Sequence, residues 1–206
     1  MTIPLNSLPN VPTVAYDDIR NQIKSGDILL CSGNAIFSKL IQRATNSIWS
    51  HVGFVIWLES INRLMVLESV ETIGVRTVPL SSYAKDYNGS GKGYAGDILI
   101  ARHRQFNPAN INQLSKYAIN LFGYPYDTDE ILKIAARVGM KAFGYTSQSP
   151  DIQSQRAFIC SEYAYDCYES VGITIPYDML GFIAPSDFAK DPMIDPVMLV
   201  KSENNN

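Results

Sequence analysis

The chain has 206 residues, of which 46% are hydrophobic, 11% aromatic and 18% charged, and its formal net charge is −3. This composition is typical of one soluble globular domain and excludes a disordered chain, which would carry fewer aromatic side chains and more charge. The mild negative charge disfavours nucleic acid as a partner, and no apolar run reaches the roughly 18 residues needed for stable membrane insertion.

The residue pattern, taken in chain order, predicts an extended proline-rich arm over 1–15, a single domain over 16–200 and a disordered tail over 201–206. Strands are predicted at 27–31, 50–58, 63–70, 74–80 and 97–102. Helices are predicted at 17–24, 35–44, 108–122, 128–143 and 160–171, and loops at 81–96 and 144–155. Most strands precede most helices without βαβ alternation, so the predicted fold class is α+β: a small antiparallel sheet or half-barrel packed on helices.

The N-terminal residues lack the charged and continuous apolar regions of a secretory signal, which predicts a cytoplasmic protein. The three cysteines, Cys31, Cys160 and Cys167, cannot all pair, in agreement with a reducing compartment. With only two histidines, no zinc-type ligand cluster is evident, and no cofactor is expected.

Cys160 opens an amphipathic helix, in which it shares the inward face with Tyr163, Cys167 and Val171. A thiol in the first turn of a helix lies at the positive end of the helix dipole, which favours the thiolate. An inert core cysteine is the alternative, because cysteine is among the most buried residue types. Cys167 and Cys31 are predicted to be structural.

His51 and Glu68 lie on the two strands of a predicted hairpin. A connection of even length places Gly53 opposite Glu68 and Val70 opposite His51, so that Glu68 is a diagonal neighbour of His51 on the same sheet face. Gly53 leaves space there for the carboxylate. The alternatives are a hydrogen-bonded histidine at a strand end and an edge-strand glutamate facing water.

A thiol, an imidazole and a carboxylate together match the division of labour in nucleophilic catalysis. The thiolate attacks a carbonyl, the imidazole exchanges the proton and the carboxylate fixes the imidazole tautomer. The backbone N–H of Cys160 is one predicted donor to the oxyanion.

Three stretches, GDILL at 26–30, SHVGFV at 50–55 and FICSEYAYDCYESVGI at 158–173, resemble the circularly permuted papain-like amidases of the NlpC/P60 superfamily, in particular the YiiX/YaeF-like group. The histidine strand precedes the cysteine helix, as the permuted branch requires. The resemblance implies a cysteine amidase or peptidase that acts through a thioester, often on cell-wall peptides. It implies Cys160 as nucleophile, His51 as general base and acid, and Glu68 as the orienting residue.

Three residues are predicted to bind substrate: Trp49 and Ser50 flank His51, and Tyr124 lies in a break between helices. Packing is the alternative for Trp49, and a capped helix boundary is the alternative for the break. His103 is predicted to lie on the surface. The expected partner is a small peptide or amide substrate, and self-association as a homo-oligomer is left open. Two other functions stay open, a lipid acyltransferase or phospholipase that uses the same thiol and an inactive binding module.

Overall fold

The computed structural model describes residues 2–128, 157–177 and 182–203. The strands in these ranges are β1 (Thr13–Ala15), β2 (Ile28–Gly33), β3 (His51–Leu58), β4 (Arg63–Val70), β5 (Gly74–Pro79), β6 (Gly96–His103) and β7 (Ile194–Lys201). The helices are α1 (Tyr16–Ile19), α2 (Ile36–Thr45), α3 (Leu80–Lys85), α4 (Ile111–Asn120), α5 (Cys160–Glu169) and α6 (Pro185–Lys190). Short 3₁₀ turns lie at Arg20–Gln22, Glu59–Ile61, Tyr87–Gly89 and Pro108–Asn110. The α+β fold class is confirmed.

The strands form one seven-stranded sheet in the order β1-β7-β6-β2-β3-β4-β5. The pair β1–β7 is parallel and the other pairs are antiparallel. Strand β2 lies between β6 and β3, and Leu29 and Leu30, on its opposite faces, are both fully buried. A strand covered on both faces is uniformly apolar rather than alternating, which explains the DILLC run.

Each face of the sheet supports its own hydrophobic core. On one face, α5 packs on β3, with the Phe54 ring stacked on Tyr163 at 6.0 Å between ring centroids and at 25°. On the other face, Val55 belongs to a second buried cluster that includes Tyr83 and Ala84 of α3. Helices therefore cover both faces of β3. The face that carries His51, Gly53 and Val55 contacts α3 at Val55.

The predicted hairpin register is confirmed. Phe54 pairs with Leu67 and Leu58 pairs with Arg63, so four residues connect β3 and β4. Asn62 ends that connection in the left-handed conformation, with φ of 50°. The even-length connection places the side chains of His51 and Glu68 on one side of the sheet.

Other predicted elements differ at their boundaries. The predicted loop over 81–96 is wrong in its first part, because α3 occupies Leu80–Lys85 and buries Tyr83 and Ala84; the glycines begin only at Gly89. Residues 201–203, assigned to the tail, continue from β7, and the Glu203 carbonyl accepts a hydrogen bond from the Gly93 N–H at 2.9 Å. The predicted helix at 128–143 and loop at 144–155 lie, apart from Thr128, outside the described residues.

The surface position predicted for His103 is also wrong. The residue is 3% exposed, and its Nε2 lies 3.6 Å from Asp191 Oδ2. Antiparallel pairing with β7 covers the end of β6, which the residue pattern of β6 alone does not reveal. In the described parts of the chain, no helix has the length and hydropathy of a membrane-spanning segment.

Candidate active site

Cys160 is the first residue of α5 and is 2% exposed. Two contacts fix this end of the helix. The Ile159 N–H donates to Glu162 Oε2 at 3.3 Å, and the Ser161 hydroxyl donates to the Ile183 carbonyl at 2.7 Å. The thiol is therefore carried by a helical turn that is held both within its own segment and from a neighbouring one.

His51 and Glu68 form a buried charged contact beside the cysteine helix. His51 Nε2 lies 2.6 Å from Glu68 Oε2, and the glutamate side chain is fully buried. Gly53 makes this contact possible, since a Cβ atom there would lie 2.8 Å from the Leu67 carbonyl oxygen and 3.3 Å from Glu68 Cβ. The predicted proximity of His51 and Glu68 is thus present.

Glu68 accepts two further hydrogen bonds, from side chains that are not among the predicted site residues. The Tyr83 hydroxyl donates to Oε2 at 2.5 Å, and Arg76 Nε donates to Oε1 at 2.9 Å. Burial raises the pKa of Glu68, but the contacts with His51, Arg76 and Tyr83 outweigh burial and hold it below its usual range. Glu68 is therefore a carboxylate at neutral pH.

Arg76 and Tyr83 differ in how far the sequence indicates their positions. Arg76 stands directly opposite Glu68 in the β4–β5 pair, so the second hairpin contained the information that places it. Tyr83 lies on α3, in a segment that was predicted to be a loop.

The Cys160 side chain also lies close enough to His51 to interact with its imidazole ring. Burial lowers the pKa of His51, but hydrogen bonds and charge interactions with Cys160 and Glu68 outweigh burial and raise it to about 10. Because Nε2 contacts Glu68, Nδ1 is the ring nitrogen left for the thiol. The arrangement therefore stabilises a protonated imidazole next to sulfur.

The other two cysteines are buried thiols in hydrophobic surroundings. Burial is the main cause that raises the pKa of both Cys31 and Cys167 well above the usual value for a thiol. Both stay neutral at physiological pH, in agreement with the structural roles that the sequence predicts.

A cleft with a cavity volume of about 290 Å³ opens beside His51. We call it the polar cleft; its walls include Ser50, His51, Ser69, Arg76, Tyr94 and Tyr126. Of the predicted substrate-binding residues, Ser50 lies in this wall. Its hydroxyl accepts from the Gly33 N–H at 3.0 Å and donates to the Cys31 carbonyl at 3.3 Å.

The other two predicted binding residues lie elsewhere. Tyr124 packs on Phe158, with ring centroids 6.0 Å apart, and its carbonyl accepts the Val75 N–H. Tyr126, two residues later, lines the polar cleft instead. Trp49 is fully buried, and its indole N–H donates to the Pro4 carbonyl at 2.8 Å.

We expect Trp49→Phe to affect stability rather than reactivity. Loss of the indole hydrogen bond and of part of the ring should cost roughly 1–2 kcal/mol of unfolding free energy, measured by urea denaturation. Alkylation of Cys160 by iodoacetamide should stay within about twofold of the wild-type rate. Trp57→Phe is a matched control, because Trp57 donates a similar bond, to the Ile23 carbonyl at 2.8 Å. A selective loss of Cys160 alkylation in Trp49→Phe would instead assign Trp49 to the site.

Comparison with solved structures shows similarity to a crystal structure described as the metalloprotein YiiX from Escherichia coli O157:H7. The two share 19% sequence identity with a TM-score of 0.59, over 89% of this chain and 99% of the other. At this identity the similarity shows the fold. Within residues 2–128, 157–177 and 182–203, no group of three or more His, Cys, Asp or Glu side chains is placed to hold a metal ion. No curated protein matches the sequence.

A family model described as "permuted papain-like amidase enzyme, YaeF/YiiX, C92 family" matches residues 22–195. The match spans the strands that carry His51 and Glu68 and the helix that carries Cys160. It confirms the YiiX/YaeF-like group predicted from the three sequence stretches and gives the family as C92. The chain belongs to the C92 family of permuted papain-like amidases.

Proposed function

We propose that this protein hydrolyses an amide bond in a small peptide or related amide, with Cys160 as nucleophile, His51 as general base and acid, and Glu68 as the residue that orients His51. Family membership supports a cysteine amidase or peptidase in general. The observation that carries the specific proposal is the buried chain of contacts from Cys160 to His51 to Glu68, in which the His51–Glu68 distance is 2.6 Å. Peptides derived from the cell wall are the first substrates to test.

The proposed reaction has two steps. The Cys160 sulfur bonds to the carbonyl carbon, the C–N bond breaks, and the imidazolium of His51 gives its proton to the departing amine. Water then attacks the thioester while His51 accepts a proton from it; the C–S bond breaks, which releases a carboxylic acid and regenerates the Cys160 thiolate and the His51 imidazolium. Glu68, held by Tyr83 and Arg76, keeps the His51 ring in one orientation through both steps.

The oxyanion that forms in each step needs donors close to sulfur. As the first residue of α5, Cys160 carries a backbone N–H without an acceptor inside the helix. This N–H lies at the N-terminal end of the helix, next to the thiol, and we assign it as one oxyanion donor.

A lipid acyltransferase or phospholipase is the second candidate. Two exposed isoleucines support it: Ile36, at the start of α2, is 88% exposed, and Ile73, in the wall of the polar cleft, is 55% exposed. Apolar groups near the mouth of a cleft favour contact with an apolar substrate or surface. A panel of peptide amides and acyl esters distinguishes the two reactions.

The first test is alkylation of Cys160 by iodoacetamide between pH 5 and 9, followed by peptide mass spectrometry in the wild type and in His51→Ala. An ordinary thiol ionises near about pH 8.5 and reacts slowly at pH 6. Because the pKa of His51 is raised to about 10, its positive charge persists beside the Cys160 side chain across this range. We expect the wild type to react at least about ten times faster than His51→Ala at pH 6.

Cys31 and Cys167 serve as internal controls, because both are fully buried and should stay unmodified while the protein is folded. Equal, slow alkylation of Cys160 in the wild type and in His51→Ala would contradict the hydrolase proposal. That result would favour an inactive binding module.

A further inference from the structure

The two reacting groups open onto different surroundings. Cys160 lines a small pocket whose walls include Ile41, Ala44, Ile159, Phe182 and Ala184, which we call the apolar pocket. His51 lines the polar cleft. Among the described residues, His51 does not line the apolar pocket, and Cys160 does not line the polar cleft.

This separation has a chemical meaning for acyl transfer. The acyl group of the substrate stays bonded to sulfur, whereas the leaving amine takes its proton from the imidazole. The acyl substituent is therefore expected on the side of the apolar pocket, which Cys160 lines. The leaving group is expected on the side of the polar cleft, which His51 lines.

The walls of the apolar pocket limit what fits. Its cavity volume is about 20 Å³, little more than the roughly 10–15 Å³ that one water molecule needs. The hydroxyl groups at its edge already have acceptors, since Thr45 donates to the Ile41 carbonyl at 2.9 Å and Ser161 donates to the Ile183 carbonyl at 2.7 Å. The lining thus offers space for about a methyl group and no free hydroxyl to a polar substituent.

We propose that the apolar pocket is an acyl-side specificity site that accepts a substituent of one or two carbons, while the polar cleft takes the amine leaving group. This inference rests on the proposed function, because it assumes that Cys160 is acylated. The substrates it predicts are amides whose acyl group carries a small apolar substituent, such as the methyl side chain of alanine. The inference disfavours the long acyl chains of lipids.

The test uses p-nitrophenyl esters of acetate, propionate, hexanoate and octanoate as acyl donors. Acylation transfers the acyl group to the Cys160 sulfur and releases p-nitrophenolate, which is followed by absorbance, while intact mass reports the thioester. Each rate is divided by the uncatalysed hydrolysis rate of the same ester. In the wild type we expect acetate and propionate to exceed octanoate by at least about tenfold.

Two variants change the pocket in opposite directions. Ala44→Leu fills it and should lower acylation by acetate and propionate about tenfold or more. Phe182→Val enlarges it and should raise the ratio of hexanoate to acetate acylation about fivefold. Lys39→Ala is the matched control, because Lys39 is an exposed residue of α2, the helix that carries Ala44. It should leave the ratios of the acylation rates between esters within about twofold of the wild type. Thermal melts establish that each variant is folded.

The outcomes separate the inference from the proposed function. A preference of the wild type for octanoate, or a profile that neither Ala44→Leu nor Phe182→Val alters, overturns the pocket assignment. His51-dependent alkylation of Cys160 by iodoacetamide without acylation by any ester also overturns it, while the nucleophile assignment stands. Absence of both reactions overturns the proposed function itself.

Discussion

Replacing Cys160 with alanine should abolish amide hydrolysis, with a loss of about a thousandfold or more in kcat/KM, while the fold is retained. The reason is that the variant removes the atom that forms the acyl-enzyme but deletes only one buried sulfur. Hydrolysis of peptide amides, followed by mass spectrometry of the products, measures the loss. Urea denaturation should show a change of no more than about 1–2 kcal/mol in unfolding free energy.

Cys167→Ala is the matched control for this variant. Cys167 lies on the same helix, seven positions later, and is fully buried. It should show a similar change in stability and should keep hydrolysis within about threefold of the wild type. Equal activity of the Cys160 and Cys167 variants would contradict the assignment of the nucleophile.

Replacing Glu68 should cost both stability and activity. The variant Glu68→Ala leaves the Arg76 guanidinium, the Tyr83 hydroxyl and the His51 ring without the carboxylate that all three contact. Breaking a buried ion pair at one partner costs roughly 3–5 kcal/mol, so urea denaturation should show a loss of this size. Loss of the orienting carboxylate should lower kcat about a hundredfold or more, since the imidazole loses its fixed tautomer.

The milder variant Glu68→Gln isolates the charge and gives a pH test. The lowered pKa of Glu68 means that its contribution to stability is present above the unfolded value of about 4.3 and is lost as pH falls. The raised pKa of His51 means that its contribution is complete below about 6.5 and is lost as pH rises toward about 10. The difference in unfolding free energy between wild type and Glu68→Gln should therefore be largest between about pH 5 and 6.5 and should decline as pH rises toward about 10.

Glu59→Gln provides the control for this profile, because Glu59 lies on the exposed hairpin connection. It should change the unfolding free energy by no more than about 0.5 kcal/mol at any pH. A Glu68→Gln difference that is small and constant across the pH range would mean that the carboxylate contributes no charge interaction to the folded state.

The geometry of His51 and Glu68 was predictable because a short connection fixes it. Strand alternation and an even-length loop determine which side chains share a face, and both can be read from consecutive residues. The same reasoning extends to Arg76, which pairs with Glu68 across the next hairpin. Tyr83 was not predictable in this way, since a helical turn after β5 brings it back under the sheet.

The meeting of Cys160 and His51 depends on contacts between distant parts of the chain. The ring of Phe54 lies against Tyr163 and Tyr168, and the Tyr168 hydroxyl donates to the Gly26 carbonyl at 2.8 Å. No local pattern spans such separations, so the sequence predicted this contact only through its family resemblance. Trp49 shows the same limit: its position beside His51 in sequence indicated the site, whereas its ring points into the core.

The hairpin origin of the His51–Glu68 pair has a consequence for how such proteins evolve. His51 and Glu68, the proposed base and orienting residue, come from one locally determined unit, and Cys160, the proposed nucleophile, comes from a separate helix that docks on β3 through aromatic packing. Joining the old ends of such a chain and opening it between the two units leaves each unit intact and their docking surface unchanged. The order of the two units along the chain can then invert without a loss of geometry, in agreement with the order seen here, in which His51 precedes Cys160.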